Sequence, residues 1–320
     1  MKPDFHELMR EKYPNGLTGV FAIGGTRTTY ILEQNRDADD PGEIVDFDEH
    51  STYLMSRYRD FIRMYLELGG GHLIVTVFSF LGFHNRGPDY ARFATENMKQ
   101  LMLPEQVAFY KEMNIDPYFA GIDTLLLDPP ESPVHQLGVE LTAFQNNWDY
   151  QEGRHKLVWE IASLPLFSFW KIFSEMDSEQ HAEIQASIQG LPDFEAVYKA
   201  LYPHYSQMVY GTQLPMPAFY LGTNKSGDLK WRSPMPISLS GGDFLRLFYT
   251  PYPTLFTRRE TLKRIMEEVV YGKRFFSDQK DYSGRYTREL AQQEYERVME
   301  LSKDVNTTLG LARRVRIDDD

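Results

Sequence analysis

The sequence predicts an α/β fold: a mainly parallel central sheet flanked by helices on both faces. Three observations predict it. Short apolar runs rich in β-branched and aromatic residues alternate with stretches of helical period. Several of those runs end directly in glycine-rich turns. No internal repeat, low-complexity tract or long linker divides the 320 residues. The chain therefore reads as a single domain over 1–320, with a helical elaboration at about 163–212 and a C-terminal helical tail at about 285–320. Ligands of such sheets bind outside the carboxyl ends of the strands, so the loops that follow the strands are the first places to look for chemistry.

The elements follow in order. Gly19 to Ile23 is an apolar run closed by Gly24 and Gly25, a buried strand ending in a tight turn. Tyr53, Leu54, Tyr58, Phe61, Ile62, Tyr65 and Leu68 recur at helical spacing and are stopped by Gly69-Gly70-Gly71, which predicts a helix over 50–68. His72 to Phe80 has the composition of a central strand. Pro88 opens a helix to Met102, and Pro104 opens another to Met113. Further strands are predicted at Ile115 to Ile122, Leu157 to Ala162, Ala218 to Gly222 and Phe244 to Tyr249. Between the strands at 157–162 and 218–222, Ser178 to Gln189 and residues 191–209 read as helices. Thr257-Arg-Arg-Glu260 has the form of a capping box ahead of Leu262, Ile265, Met266, Val269 and Val270, with Gly272 past the end. Arg288 to Lys303 is a polar helix before an acidic end.

Composition removes whole classes of function. A net charge of −12 has the wrong sign for tracking a phosphate backbone, so no nucleic-acid partner is expected. Cysteine is absent, which excludes disulfides, thiolate metal sites and thiol nucleophiles. The N-terminal residues lack the basic and apolar regions of a signal peptide, and His72 to Phe83 is too short and too interrupted to span a bilayer; a cytoplasmic protein with no membrane span is expected. The chain is 14% aromatic, enough to line an apolar pocket as well as a core. There is no His-Glu-x-x-His, no Gly-x-Ser-x-Gly and no Walker loop.

Two loops carry candidate chemistry. Gly24-Gly25-Thr26-Arg27 offers backbone N–H groups, a hydroxyl and a guanidinium after a strand, a set suited to a diphosphate; the plain alternative is a tight turn with an exposed arginine. Ser79 to Gly87, with Asn85 and Arg86, follows the second strand at the same edge, where a lone arginine is otherwise a surface or structural residue. The acids Asp37, Asp39, Asp40, Glu43, Asp46, Asp48 and Glu49 could hold Mg²⁺ beside a diphosphate, or form a solvated loop. His50 closes that run and could act as a base or phosphate contact, or serve as a cap or core residue.

Taken in order, these segments resemble the cis-prenyltransferase (undecaprenyl diphosphate synthase) superfamily, and within it the terpene-synthase branch of tuberculosinyl adenosine transferase and kolavelool synthase. The first family motif, a strand followed by Asp-Gly, Thr or Asn, and Arg, is matched by Val20 to Arg27, with Gly24 in place of the Asp. The second, a strand with Phe-Ser, a short loop and Arg, is matched from Val77-Phe78-Ser79 to Asn85-Arg86. Phe109 to Glu112, Leu247 to Thr250, Glu260 to Ile265 and Asp281 to Ser283 continue the likeness, which covers nearly the whole chain except 163–212.

The resemblance implies a cis-prenyltransferase-like fold and a diphosphate site built from Gly24, Gly25, Thr26, Arg27, Asn85 and Arg86. It also implies a homodimer. Two departures shape the expected activity. Gly24 replaces the Asp that assists Mg²⁺ and the leaving group, so no metal ligand is assigned and a weakened Mg²⁺ dependence is expected, unless an acid from Asp37 to Glu49 substitutes. Arg246 replaces a metal-binding Glu of chain-elongating members, and their second-substrate arginines lack counterparts around Tyr220 to Lys225. Repeated elongation is therefore not expected. The implied activity is ionisation of one allylic isoprenoid diphosphate, such as a bicyclic diterpenyl diphosphate, with water quenching the cation to give a terpene alcohol. His50 or Tyr30 would take the last proton, and Arg27 and Arg86 would stabilise the departing anion. Two alternatives stay open: transfer to a nucleoside such as adenosine, and a non-catalytic partner subunit of a cis-prenyltransferase.

Overall fold

The computed structural model describes residues 4–34, 46–78, 83, 87–162, 164–223, 245–272 and 288–303. In chain order the elements are α1 (Phe5–Lys12), β1 (Thr18–Ala22), α2 (Thr26–Glu33), α3 (Phe47–Glu67), β2 (His72–Phe78), α4 (Pro88–Lys99), a 3₁₀ turn (Gln100–Met102), α5 (Pro104–Glu112) and β3 (Ile115–Ala120). There follow α6 (Ile122–Leu125), α7 (Pro133–Asn146), β4 (His155–Ile161), α8 (Pro165–Glu175), α9 (Ser178–Ile188), α10 (Phe194–Tyr210), β5 (Phe219–Thr223) and β6 (Arg246–Thr250). A second 3₁₀ turn (Thr254–Phe256), α11 (Arg259–Tyr271) and α12 (Arg288–Lys303) complete the set.

The strands form one six-stranded sheet in the order β3-β4-β2-β1-β5-β6, and every neighbouring pair is parallel. This is the expected α/β architecture with strand positions shifted by one or two residues. From β1 the chain first builds leftward through β2, β3 and β4, and then returns to the right for β5. The reversal falls between β1 and β5, which makes the carboxyl end of β1 the switch point of the sheet.

Both faces are covered, as an all-parallel sheet requires. On one face Phe21, Leu73, Val75, Leu157, Trp159, Phe219 and Leu221 pack under α1, α3, α4, α5, α7 and α11. Here Phe21 is met edge-on by Phe61, Tyr65 and Phe219, with centroids 5.0, 5.1 and 5.5 Å away. Tyr65 adds a 2.7 Å hydrogen bond to the Leu17 carbonyl, so the one polar atom of that buried ring is satisfied. On the other face Val20, Ala22, Ile74, Tyr118, Ala120, Val158 and Tyr220 lie under α10, through Tyr202 and Tyr210. The 163–212 region is thus the β4-to-β5 crossover that covers this face.

Five helices, α1, α2, α6, α7 and α8, had no predicted counterpart of their own; α7 is a weakly amphipathic stretch whose small and polar residues give little periodic signal. The capping box expected at Thr257 does not form. Thr257 ends the second 3₁₀ turn, its N–H donating to the Thr254 carbonyl at 3.0 Å, and its side chain is buried without a hydrogen-bond partner. α11 accordingly begins one residue later than that box implies, with Arg258 at its N-cap and no side-chain cap. Predicted features at Asp37 to Glu43, Ser79 to Leu81 and Asp281 to Ser283 lie outside the described residues, as do Asn85 and Arg86.

Candidate functional site

The turn after β1 is held in a shape that glycine makes possible. Gly25 is the N-cap of α2 with φ 78° and ψ 24°, in the left-handed region, and a Cβ added there would lie 2.9 Å from Cβ of Pro253. Only glycine satisfies both the backbone angle and the close approach. The chain after β6 braces the turn from the other side. Thr254 donates its N–H to the Gly24 carbonyl at 3.2 Å, while its hydroxyl accepts from the Gly24 N–H at 3.4 Å. Thr254 is fully buried, so this clasp sits inside the protein.

α2 then leads away from the turn with no side-chain cap. The first-turn N–H groups of a helix point out of its N-terminal end and carry the positive end of its dipole, and the N-cap residue here, Gly25, has no side chain to accept from them. Arg27, the second residue of the helix, is exposed beside them. Gly24 to Arg27 therefore combines backbone donors, a hydroxyl at Thr26 and one cation at the switch point of the sheet.

α3 places a neutral base alongside. Asp46 caps α3 by accepting from the N–H groups of Asp48 and Glu49, both at 2.9 Å, which sets His50 in the first turn. His50 is 6% exposed, and neither ring nitrogen has a hydrogen-bond partner. Burial, and secondarily the Arg27 guanidinium, pushes its pKa down to about 4. At neutral pH the imidazole is uncharged. Tyr30 of α2 meets it edge to face, with centroids 4.9 Å apart, and Phe93 of α4 lies 6.2 Å away. The Tyr30 phenol is pushed up, by burial first and then by Glu49 and Asp46, and so keeps its proton.

The helices carrying these groups are fastened together. Arg57 of α3 pairs with Glu33 at the end of α2, Nε to Oε2 at 3.3 Å, and donates to the Leu255 carbonyl at 3.1 Å. Tyr53 hydrogen-bonds the same Glu33. These contacts tie the end of α2 and the chain at Leu255 to α3.

Of the expected site residues, the structure brings Gly24, Gly25, Thr26, Arg27, Tyr30 and His50 together. Asn85 and Arg86 fall outside the described residues. Arg246 is elsewhere: it begins β6, in register with Phe219 and hence with Gly19 at the amino end of β1, and donates to the carbonyls of Glu268 and Gly272 at the C-terminus of α11. The brace from Pro253 and Thr254 was not legible, because nothing in the local sequence links a turn near 253 to a glycine near 25.

The donor set at this turn does not fit a Mg²⁺ site of its own. Gly24 supplies no carboxylate, Asp46 is committed to capping α3, and the described residues include no group of three or more histidines or acids able to hold a metal ion.

No protein-family model matches the sequence, and no curated protein sequence matches it. Solved structures do. Lavandulyl diphosphate synthase from Lavandula x intermedia, in complex with dimethylallyl diphosphate, matches with a TM-score of 0.51 and 14% identity, over 80% of this chain and 95% of that one. A probable undecaprenyl diphosphate synthase from Campylobacter jejuni matches with a TM-score of 0.45 and 13% identity, over 82% and 98%. At these identities the likeness is one of fold: the chain has the expected cis-prenyltransferase-like α/β fold. None of the helices among the described residues is long and apolar enough to cross a membrane.

Proposed function

We propose that the protein ionises an allylic isoprenoid diphosphate at Gly24 to Arg27 and quenches the resulting carbocation with water, giving a terpene alcohol and inorganic diphosphate. The observation that carries this reading is the uncapped, glycine-turned N-terminus of α2 next to Arg27 and the neutral, unpartnered imidazole of His50. The dimethylallyl diphosphate bound to the lavandulyl enzyme supports an isoprenoid diphosphate as the substrate class.

In this scheme the allylic C–O bond breaks heterolytically and both electrons leave with the diphosphate oxygen. Backbone N–H groups of the α2 first turn, the Thr26 hydroxyl and the Arg27 guanidinium stabilise the developing charge, joined by Arg86, which follows β2 in the sequence. Donors fixed before the reaction act without reorganisation, and loss of one typically costs about 10²–10³ in rate. A water oxygen then bonds to the cation, and the oxonium proton passes to a ring nitrogen of His50. A weak base suffices, because a protonated alcohol is a strong acid. Tyr30, holding its own proton, orients the imidazole rather than taking the proton.

The absent carboxylate at Gly24 supports an anion site that works through hydrogen bonds and arginine, with Mg²⁺ contributing little. Diphosphate release from an allylic substrate, followed by mass spectrometry of the product, tests the reading. An added nucleoside that appears in the product would replace water by that acceptor.

A further inference from the structure

Glu160 stands where the fold has no need of a carboxyl group. It is the sixth residue of β4, is 1% exposed, and lies in a register row near the carboxyl edge of the sheet that runs through Ala120, Glu160, Thr76 and Ala22. The preceding row on the same face includes Val158, Ile74 and Val20, ordinary sheet residues. Burying a carboxyl group is costly unless its oxygens are hydrogen-bonded, and both are used. Oε2 accepts from the Thr76 hydroxyl at 2.6 Å, and Oε1 accepts from the Tyr210 hydroxyl of α10 at 3.4 Å.

Two departures from regular backbone flank this group. β2 pairs Thr76 with Glu160 but Phe78 with Ile161, so the register slips at Val77, directly after the hydrogen-bonded threonine. Ala162, two residues past Glu160, has φ 54°, a left-handed angle unusual for a residue with a Cβ, and its N–H closes on the Phe78 carbonyl at 2.9 Å. Bulges and left-handed non-glycine residues concentrate where strands re-aim their ends beside functional sites. The row also leads straight to the anion turn: Thr76 pairs with Ala22, two residues before Gly24, and Glu160 lies two strands from β1, about 10 Å across the sheet.

We infer that Glu160 is a positioning residue for the diphosphate site, acting through Thr76 to hold the bulged end of β2 and the carboxyl edge of β1 in the geometry the anion turn requires. The inference rests on the proposed diphosphate chemistry. It differs from a packing role in its expected signature: replacing Glu160 with leucine leaves an apolar sheet position that folds, yet misplaces the site.

The experiment compares wild type, Glu160→Leu, Glu160→Gln and Thr76→Val for thermal melting, affinity for inorganic diphosphate, and turnover of geranylgeranyl diphosphate. Misplacement of a reacting group by about 1 Å can cost about 10²-fold. Glu160→Leu and Thr76→Val are therefore expected to melt cooperatively, bind diphosphate more weakly and turn over about 10²-fold more slowly. Glu160→Gln keeps an oxygen acceptor for Thr76 and is expected to recover most of the loss. Should Glu160→Leu fail to fold, Thr76→Val carries the same test without removing the carboxyl group. Wild-type affinity and turnover in folded Thr76→Val, or in folded Glu160→Leu, would overturn the inference while leaving the diphosphate reading intact. A wild-type protein that neither binds diphosphate nor turns over would overturn that reading and the inference with it.

Discussion

The imidazole of His50 in α3 and the ring of Tyr30 in α2 meet almost at right angles, 86° between planes and 4.9 Å between centroids. Both His50 nitrogens lack a hydrogen-bond partner, and burial, then the Arg27 guanidinium, keeps the ring uncharged. A diphosphate bound at α2 would neutralise Arg27 and add negative charge, reversing the smaller of the two causes that hold the His50 pKa down. The pKa is expected to rise from about 4 toward the ordinary histidine value when inorganic diphosphate binds. A histidine NMR titration with and without diphosphate reads this directly; an unchanged pKa would place the anion elsewhere.

The same residue makes stability depend on pH. The folded-state pKa of His50 is about 4, below the unfolded value, so between those limits the unfolded chain binds more protons. The stabilisation is present above about pH 6.5 and is lost as pH falls toward 4, amounting to about 3 kcal/mol for this one group. His72, also pushed down to about 4, first by burial, contributes in the same direction. Denaturant unfolding from pH 7.5 to 4.5 should therefore show a steep fall for wild type and a shallower one for His50→Gln.

Gly25 bears both a left-handed backbone and the ring of Pro253. Gly25→Ala is expected to cost about 1–3 kcal/mol and to displace the start of α2. Thermal melting and diphosphate affinity should fall together, whereas an alanine at the exposed Gly190, whose added Cβ would meet nothing within 4 Å, should alter stability alone.

Chelation separates this site from one that depends on bound Mg²⁺. EDTA is expected to slow diphosphate release by no more than about tenfold, equivalent to about 1.4 kcal/mol of barrier. Complete loss restored by Mg²⁺ would point to acids of the 37–43 segment as ligands.

Strand runs with β-branched and aromatic residues, stopped by glycine, made the sheet legible, because a fully buried parallel strand needs no partner to announce its composition. The Gly24–Gly25 turn after β1 was legible because its residues are contiguous. The clasp from Thr254, the burial that keeps His50 neutral and the Glu160–Thr76 hydrogen bond were not. Each joins residues that are 84 or more apart, except for His50, whose state is set by packing against Tyr30 and Phe93. The start of α11 was missed for a related reason: tertiary burial of Thr257 overrode a local capping pattern.

Arginine replacements probe the anion site itself. Arg27→Ala and Arg86→Ala are each expected to lower turnover by about 10²–10³ without shifting the melting transition. Near-normal turnover in either variant would remove that side chain from the site.

The most direct measurement is incubation with geranylgeranyl, kolavenyl and halimadienyl diphosphates in ¹⁸O-labelled water, with and without EDTA, reading inorganic diphosphate and product mass. The account predicts stoichiometric diphosphate release and a terpene alcohol carrying one ¹⁸O. No diphosphate release from any of these or from a C15 allylic substrate would contradict it.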